Sequence, residues 1–199
     1  MPRSQQQFEE MRNATKEKIH AAATRLFVRK GFGSTNVQEI ADAAGISIGL
    51  LYRHYKTKEE LFNAIARNAY AGLQSIAALF RSDDSPKALF DAFVTIIHDD
   101  LSHSEELAHL LILMKQAALT NAVNQQQSPV ATENTEVFRA TADLIKRGQD
   151  QGQFRPGDPY EMALFFFSVI QGLADMKVVL REDFVMPSQR ILTAFLYRE

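Results

Sequence analysis

The chain has 199 residues, 46% of them hydrophobic, a net charge of −2 and no cysteine. The lack of cysteine excludes disulfides and thiolate metal sites and fits a reducing cytoplasm. The first ten residues lack the apolar core of a signal peptide, and no run of 18 apolar residues occurs, so a cytoplasmic protein without a membrane partner is expected. The charge is uneven. Residues 1–60 hold ten Lys/Arg against seven Asp/Glu, a balance of +3, and the other 139 hold 12 against 17, a balance of −5. A basic module on an acidic body is a pattern found in nucleic-acid readers.

Taken in chain order, nearly every segment has helical spacing, and no strand alternation or hairpin turn is found. An all-α fold of about nine helices is predicted. The first runs over about 7–30, with Ile19, Ala22, Ala23, Leu26 and Phe27 on one face and Gly31 placed to end it. Asn36 with Glu39 reads as a capping box for a short helix over 37–44. Gly45 turns the chain, and Ser47 caps a third helix over 48–55. Thr57 caps a fourth, which reaches about residue 80. Five more helices follow over about 86–101, 105–119, 133–151, 159–180 and 187–198, with a polar loop at 121–132. The domain boundaries expected are 1–60 for a three-helix helix-turn-helix domain and 61–199 for a helical ligand-binding and dimerisation body.

Two short helices joined by Ala44-Gly45 meet closely because the residues at the crossing are small. Ile40, Ile46 and Leu51 would pin the pair to the first helix, leaving Ser47, Gly49, Tyr52 and His54 facing outward. Hydroxyls and helix-terminal amides bind phosphate, and Arg53 or His54 reaches a base edge or a phosphate. The same Ala-Ala-Gly pattern also joins ordinary helical hairpins, so spacing alone leaves both readings open.

Residues 14–62 closely resemble the N-terminal domain of the tetracycline-repressor (TetR) family. The matching residues are Ala22-Ala23, Leu26-Phe27, Gly31-Phe32, Thr35-Asn36-Val37, Ile40-Ala41, Ala44-Gly45-Ile46-Ser47, Gly49, Leu51-Tyr52, Tyr55 and Lys58-Glu59-Glu60-Leu61. The resemblance implies a homodimer whose third helix reads the major groove of a palindromic double-stranded operator, and whose body binds a small effector that releases the DNA. By position it implies DNA contacts from Thr35, Asn36, Gln38, Ser47, Ile48, Gly49, Leu50, Tyr52, Arg53 and His54, with Lys58 as a phosphate-binding lysine. Ile48 and Leu50 depart from the polar residues often found there and would touch a thymine methyl or merely pack.

The body is read on its own. Helix 159–180 is apolar nearly all round, so it needs cover on more than one side. With 187–198 it is the expected dimer face. Fourteen Phe and six Met with no Trp favour an adjustable apolar interior. Phe90, Phe93, Ile97, Met114, Phe138 and Phe166 are candidates for an apolar or aromatic effector, as are Leu110, Phe165 and Met176. Polar candidates are His109, Gln171, Asp175 and Gln116. His98 and His103 are five apart, which splays them on a helix, so no metal site is expected; no cofactor is expected either. No phosphate loop, nucleophile elbow or paired catalytic carboxylate is recognisable, so no catalytic residue is assigned and an enzyme is disfavoured. The alternative is a helical small-molecule-binding or interaction protein that does not bind DNA.

Overall fold

The computed structural model describes residues 5–123 and 129–197. Among them the chain forms nine α-helices and one 3-10 turn, with no strand. It divides into two compact units, residues 1–67 and 68–199.

The first unit contains α1 (Gln5–Lys30), α2 (Val37–Ala44), α3 (Ile48–His54) and the start of α4 (Lys58–Phe80). α1 ends where Gly31 takes φ +84°, a left-handed conformation that side chains disfavour. α2 begins with the capping box read from the sequence. Asn36 Oδ1 accepts from Glu39 N at 2.8 Å, and Asn36 N donates to Glu39 Oε2 at 3.3 Å. Gly45, at φ +67°, closes α2 and redirects the chain into α3. Ser47 Oγ then accepts from Leu50 N, and Thr57 Oγ1 accepts from Glu60 N at the head of α4. One core joins these helices: Ile19, Ala22, Ala23 and Phe27 of α1, Ile40 and Ala41 of α2, Leu51 of α3, Tyr55, and Leu61 and Ile65 of α4 are all buried. Phe27, Phe32 and Phe62 pack edge-on or tilted, with ring centroids 5.2–5.7 Å apart.

The second unit takes the rest of α4, then α5 (Pro86–His103), α6 (Glu106–Val123), α7 (Pro129–Asp150), α8 (Pro159–Leu180), the 3-10 turn Arg181–Asp183 and α9 (Gln189–Thr193). α8 is central, covered by α6 and α7. Its length and apolar composition would by themselves let it cross a bilayer. Here Ala163, Phe166, Ile170 and Ala174 are buried in the core of the unit. Asp158 caps it, accepting from the amides of Tyr160 and Glu161 at 2.9 Å.

The expected loop over 121–132 is partly helical: the backbone continues α6 to Val123 and α7 begins at Pro129, while 124–128 lie outside the described residues. A larger difference lies at the C-terminus. The predicted helix over 187–198 stops at Thr193, and Arg198 lies outside the described residues. Beyond Thr193 the chain tightens, with Leu196 N donating to Thr193 O at 2.9 Å. Arg155 N donates to Leu196 O, the Arg155 guanidinium donates to Tyr197 O, and the Tyr197 hydroxyl donates to Asp91. Bonds to residues 42 and 106 positions away hold these turns, and helical periodicity carries no trace of them.

Candidate nucleic-acid interface and body site

α3 is a seven-residue helix with one covered and one open face. Leu51 and the following Tyr55 are buried, fixing its rotation. Ser47, Gly49 and Arg53 are exposed, as are Ile48 at 36% and Tyr52 at 42%. Leu50 is half-buried. The open face therefore carries a hydroxyl, a phenol, a guanidinium, a bare backbone at glycine and one branched apolar side chain. That set suits phosphate contacts, a base edge and a thymine methyl. Gln38 is exposed on α2, where its Nε2 donates to Asp42 Oδ1 at 2.7 Å.

Four sequence candidates are placed otherwise. Thr35 is 1% exposed, and its hydroxyl lies 2.9 Å from Gly31 O and 3.3 Å from Leu26 O, so it locks the α1–α2 turn. Asn36 is exposed, but its carboxamide oxygen is engaged in the cap. His54 does not face outward freely. It is half-buried, and its Nδ1 is buried without a hydrogen-bond partner among the described residues. Lys58 is directed inward. Its ammonium lies 2.6 Å from Phe32 O, 2.7 Å from Thr35 O and 3.4 Å from Gly33 O, and 4.6 Å from the centroid of the Phe32 ring. Three protons facing three carbonyls make it a clamp on the α1–α2 turn, and a phosphate would have to displace those bonds.

His54 sits in a cationic corner. Burial, then Arg12 and Lys16 of α1, hold its imidazole below the usual range. His20 is lowered by burial and then Lys16, and its Nε2 lies 2.7 Å from the Tyr55 hydroxyl. Burial and Glu60 push the Tyr55 phenol up. Burial and the nearby cations thus disfavour the charged form of both imidazoles. Arg12 and Lys16 were not singled out in the sequence. Their even spacing with His20 along α1 was the available signal.

In the body, Phe90, Phe93 and Phe166 form one aromatic group, with centroids 5.0 Å apart for Phe90–Phe166 and 6.0 Å for Phe93–Phe166. Phe138 joins through Phe167, at 5.0 Å. Ile97 belongs to the same core. His109 and Met114 are buried on α6 outside that cluster, with His109 Nε2 3.5 Å from Glu105. Gln171 and Asp175 meet a residue the sequence reading missed: Lys115 Nζ is 2.7 Å from both Asp175 oxygens, and Gln171 Nε2 donates to Oδ1 at 3.3 Å. Lys115 is the one lysine or arginine in α6, directly after the apolar run from Leu110 to Met114, which was the signal. Leu110 is half-buried and Gln116 is exposed. Phe165 and Met176, grouped with the interior candidates, are exposed on α8.

A family model described as bacterial regulatory proteins of the tetR family matches residues 19–65, the segment from mid-α1 to α4. The transcriptional repressor KstR2 of Rhodococcus jostii is 30% identical over 159 residues, covering 75% of this chain and 72% of that protein. The transcriptional regulator TtgR of Pseudomonas putida is 26% identical over 174 residues, covering 80% and 78%. Among solved structures, KstR2 of Mycobacterium tuberculosis shares the fold with a TM-score of 0.68 at 20% identity, over 92% of this chain and 95% of that one. SmeT, solved as a complex with triclosan, does so with a TM-score of 0.62 at 23% identity, over 94% and 93%. A helix-turn-helix head of matching extent and a relative aligned through most of the body leave one assignment: the chain belongs to the tetR family of bacterial regulatory proteins and is a DNA-binding transcriptional regulator.

Proposed function

We propose that the protein is a dimeric repressor that grips a palindromic operator through α3 and is released by a small apolar effector held in the body. The open face of α3, with Tyr52 and Arg53 exposed over a buried Leu51, is the observation that carries the DNA-reading part. Ser47, Ile48, Gly49 and Tyr52 face the groove, Gln38 and Arg53 flank it, and Leu50 supports the helix from beneath. Two copies related by a two-fold axis would read half-sites about one DNA turn, 34–36 Å, apart.

The dimer reading is supported by α8, where Phe165, Gly172, Met176 and Val179 are exposed at spacings of 7, 4 and 3 that fall on one helical face. Leu164, Leu180 and Ile191 of α9 extend the apolar surface. α9 is only five residues long, so α8 carries most of that surface. The effector reading is supported by the aromatic group around Phe93 and Phe166. SmeT, of similar fold, accepts triclosan, and KstR2 is described as a ketosteroid regulator, so an apolar ring compound is the class to test.

The test is fluorescence anisotropy against the DNA upstream of the chain's own gene. The native protein should bind at physiological salt, and Tyr52→Ala should weaken binding by about 10- to 100-fold. No binding even at about 50 mM salt, where phosphate attraction is strongest, would refute the reading.

A further inference from the structure

Lys115 is the most shielded lysine of the Lys–carboxylate pairs among the described residues, 35% exposed against 48–59% for Lys30, Lys87 and Lys146. It joins α6 to α8 through both oxygens of Asp175, itself 34% exposed. Gln171 and Asp175 follow Phe167 at four and eight residues, so the three share one face of α8, roughly 6 and 12 Å along its axis from Phe167. Phe167 packs against Phe138 at 5.0 Å, Phe166 at 5.5 Å and Phe93 at 6.4 Å. One face of α8 thus carries an aromatic group drawn from α5, α7 and α8, and beyond it a polar trio whose charges cancel.

We infer that the effector is a neutral amphiphile, with an apolar ring body against Phe93, Phe138 and Phe167 and one hydroxyl or carbonyl at the Gln171, Asp175 and Lys115 trio. The inference rests on the effector-binding reading above. Two ammonium protons of Lys115 face Asp175, which leaves one donor, and the Gln171 carbonyl oxygen is an acceptor. A hydroxyl can accept from the first and donate to the second. A carboxylate would have to draw Lys115 away and leave the shielded Asp175 without its cation. A cationic group would strand Lys115 in the same way. Either exchange leaves a partly desolvated charge unpaired, which is the costly way to break such a pair. The polar end is therefore selected for lack of charge.

The experiment titrates the full chain with 2-naphthol, 2-naphthoate and 2-naphthylmethylammonium, following naphthalene fluorescence, which no tryptophan obscures. The native protein should bind 2-naphthol at least about tenfold more tightly than either charged analogue. Asp175→Asn should make the naphthoate the preferred probe, and Lys115→Met the ammonium. Exchanging the pair, Lys115→Asp with Asp175→Lys, should restore the preference for naphthol. A charged probe that matches naphthol on the native protein overturns the inference alone, as does an order unchanged in folded single variants. Failure of all three to bind the native protein overturns the effector-site reading and the inference with it. Should a single variant lose its helical circular dichroism, the native ranking and the exchanged pair decide.

Discussion

Lys58 offers a sharp test, because its position by family resemblance and its geometry assign it different roles. As a phosphate contact it would add to DNA affinity and salt dependence. As found, its ammonium faces the carbonyls of Phe32, Gly33 and Thr35 and lies against the Phe32 ring. Lys58→Met removes these charge-assisted bonds and keeps most of the apolar stem. Hydrogen bonds to a charged group contribute about 1.5–3 kcal/mol, and water reaches part of this site, so a loss of about 2 kcal/mol of local stability is expected. That corresponds to roughly 30-fold faster amide exchange through residues 31–36. DNA affinity should fall because α2 and α3 are less firmly held, but the slope of log K against log salt should not change. Lys58→Arg, which keeps the charge but cannot place three protons on the same carbonyls, should show the same exchange defect. The reasoning fails if Lys58→Met lowers the salt slope by about 0.9, the signature of one lost phosphate contact, while exchange through residues 31–36 stays native.

Other expectations follow from single features. His20 and His54 are held below their ordinary value of 6.5, so the unfolded chain takes up these protons first. Head stability should be full above about pH 6.5 and fall as the pH drops toward the folded values, with Arg12 and Lys16 opposing the charge; thermal melts at stepped pH should show this, and His54→Gln should reduce the dependence. Gly148→Ala would put a methyl 2.1 Å from Cδ2 of the buried Phe154 ring, so the body should lose about 3 kcal/mol in denaturant titration. Phe165→Glu places a charge on the open face of α8 and should give a monomer in light scattering, with weakened operator binding; a persistent dimer would rule out that face.

Much of the head was legible because its signals are local. The Asn36–Glu39 box, Gly45 and Ser47 act within three or four residues, and each stands in the structure as its chemistry requires. The inward place of Leu51 was readable too, but its neighbours Ile48 and Leu50 are also apolar, and packing decided that Ile48 is open and Leu50 half-buried. What Thr35, His54 and Lys58 do was not legible, because a hydroxyl, an imidazole or an ammonium reads as a surface group until a partner is known. The partners are 4 and 9 residues from Thr35 and 23 to 26 from Lys58, and the cations beside His54 are 38 and 42 residues away on α1.

The body shows the same division. Helical periodicity was enough to place most of its helices and the apolar nature of its core, because burial demands a stripe that recurs every 3.6 residues, and the all-round apolarity of α8 called for cover on more than one side. The end of the last helix, the pairing of Lys115 with Asp175 and the sorting of phenylalanines into core and surface were decided by tertiary structure. Arg155 draws the carbonyl of Tyr197 into tight turns, and Phe166 is buried where the adjacent Phe165 is open. Sequence alone thus determined which helices form and that the head can read DNA. Which charged group meets which, and what each apolar face covers, was settled by packing, because those energies depend on distances between residues far apart in the chain.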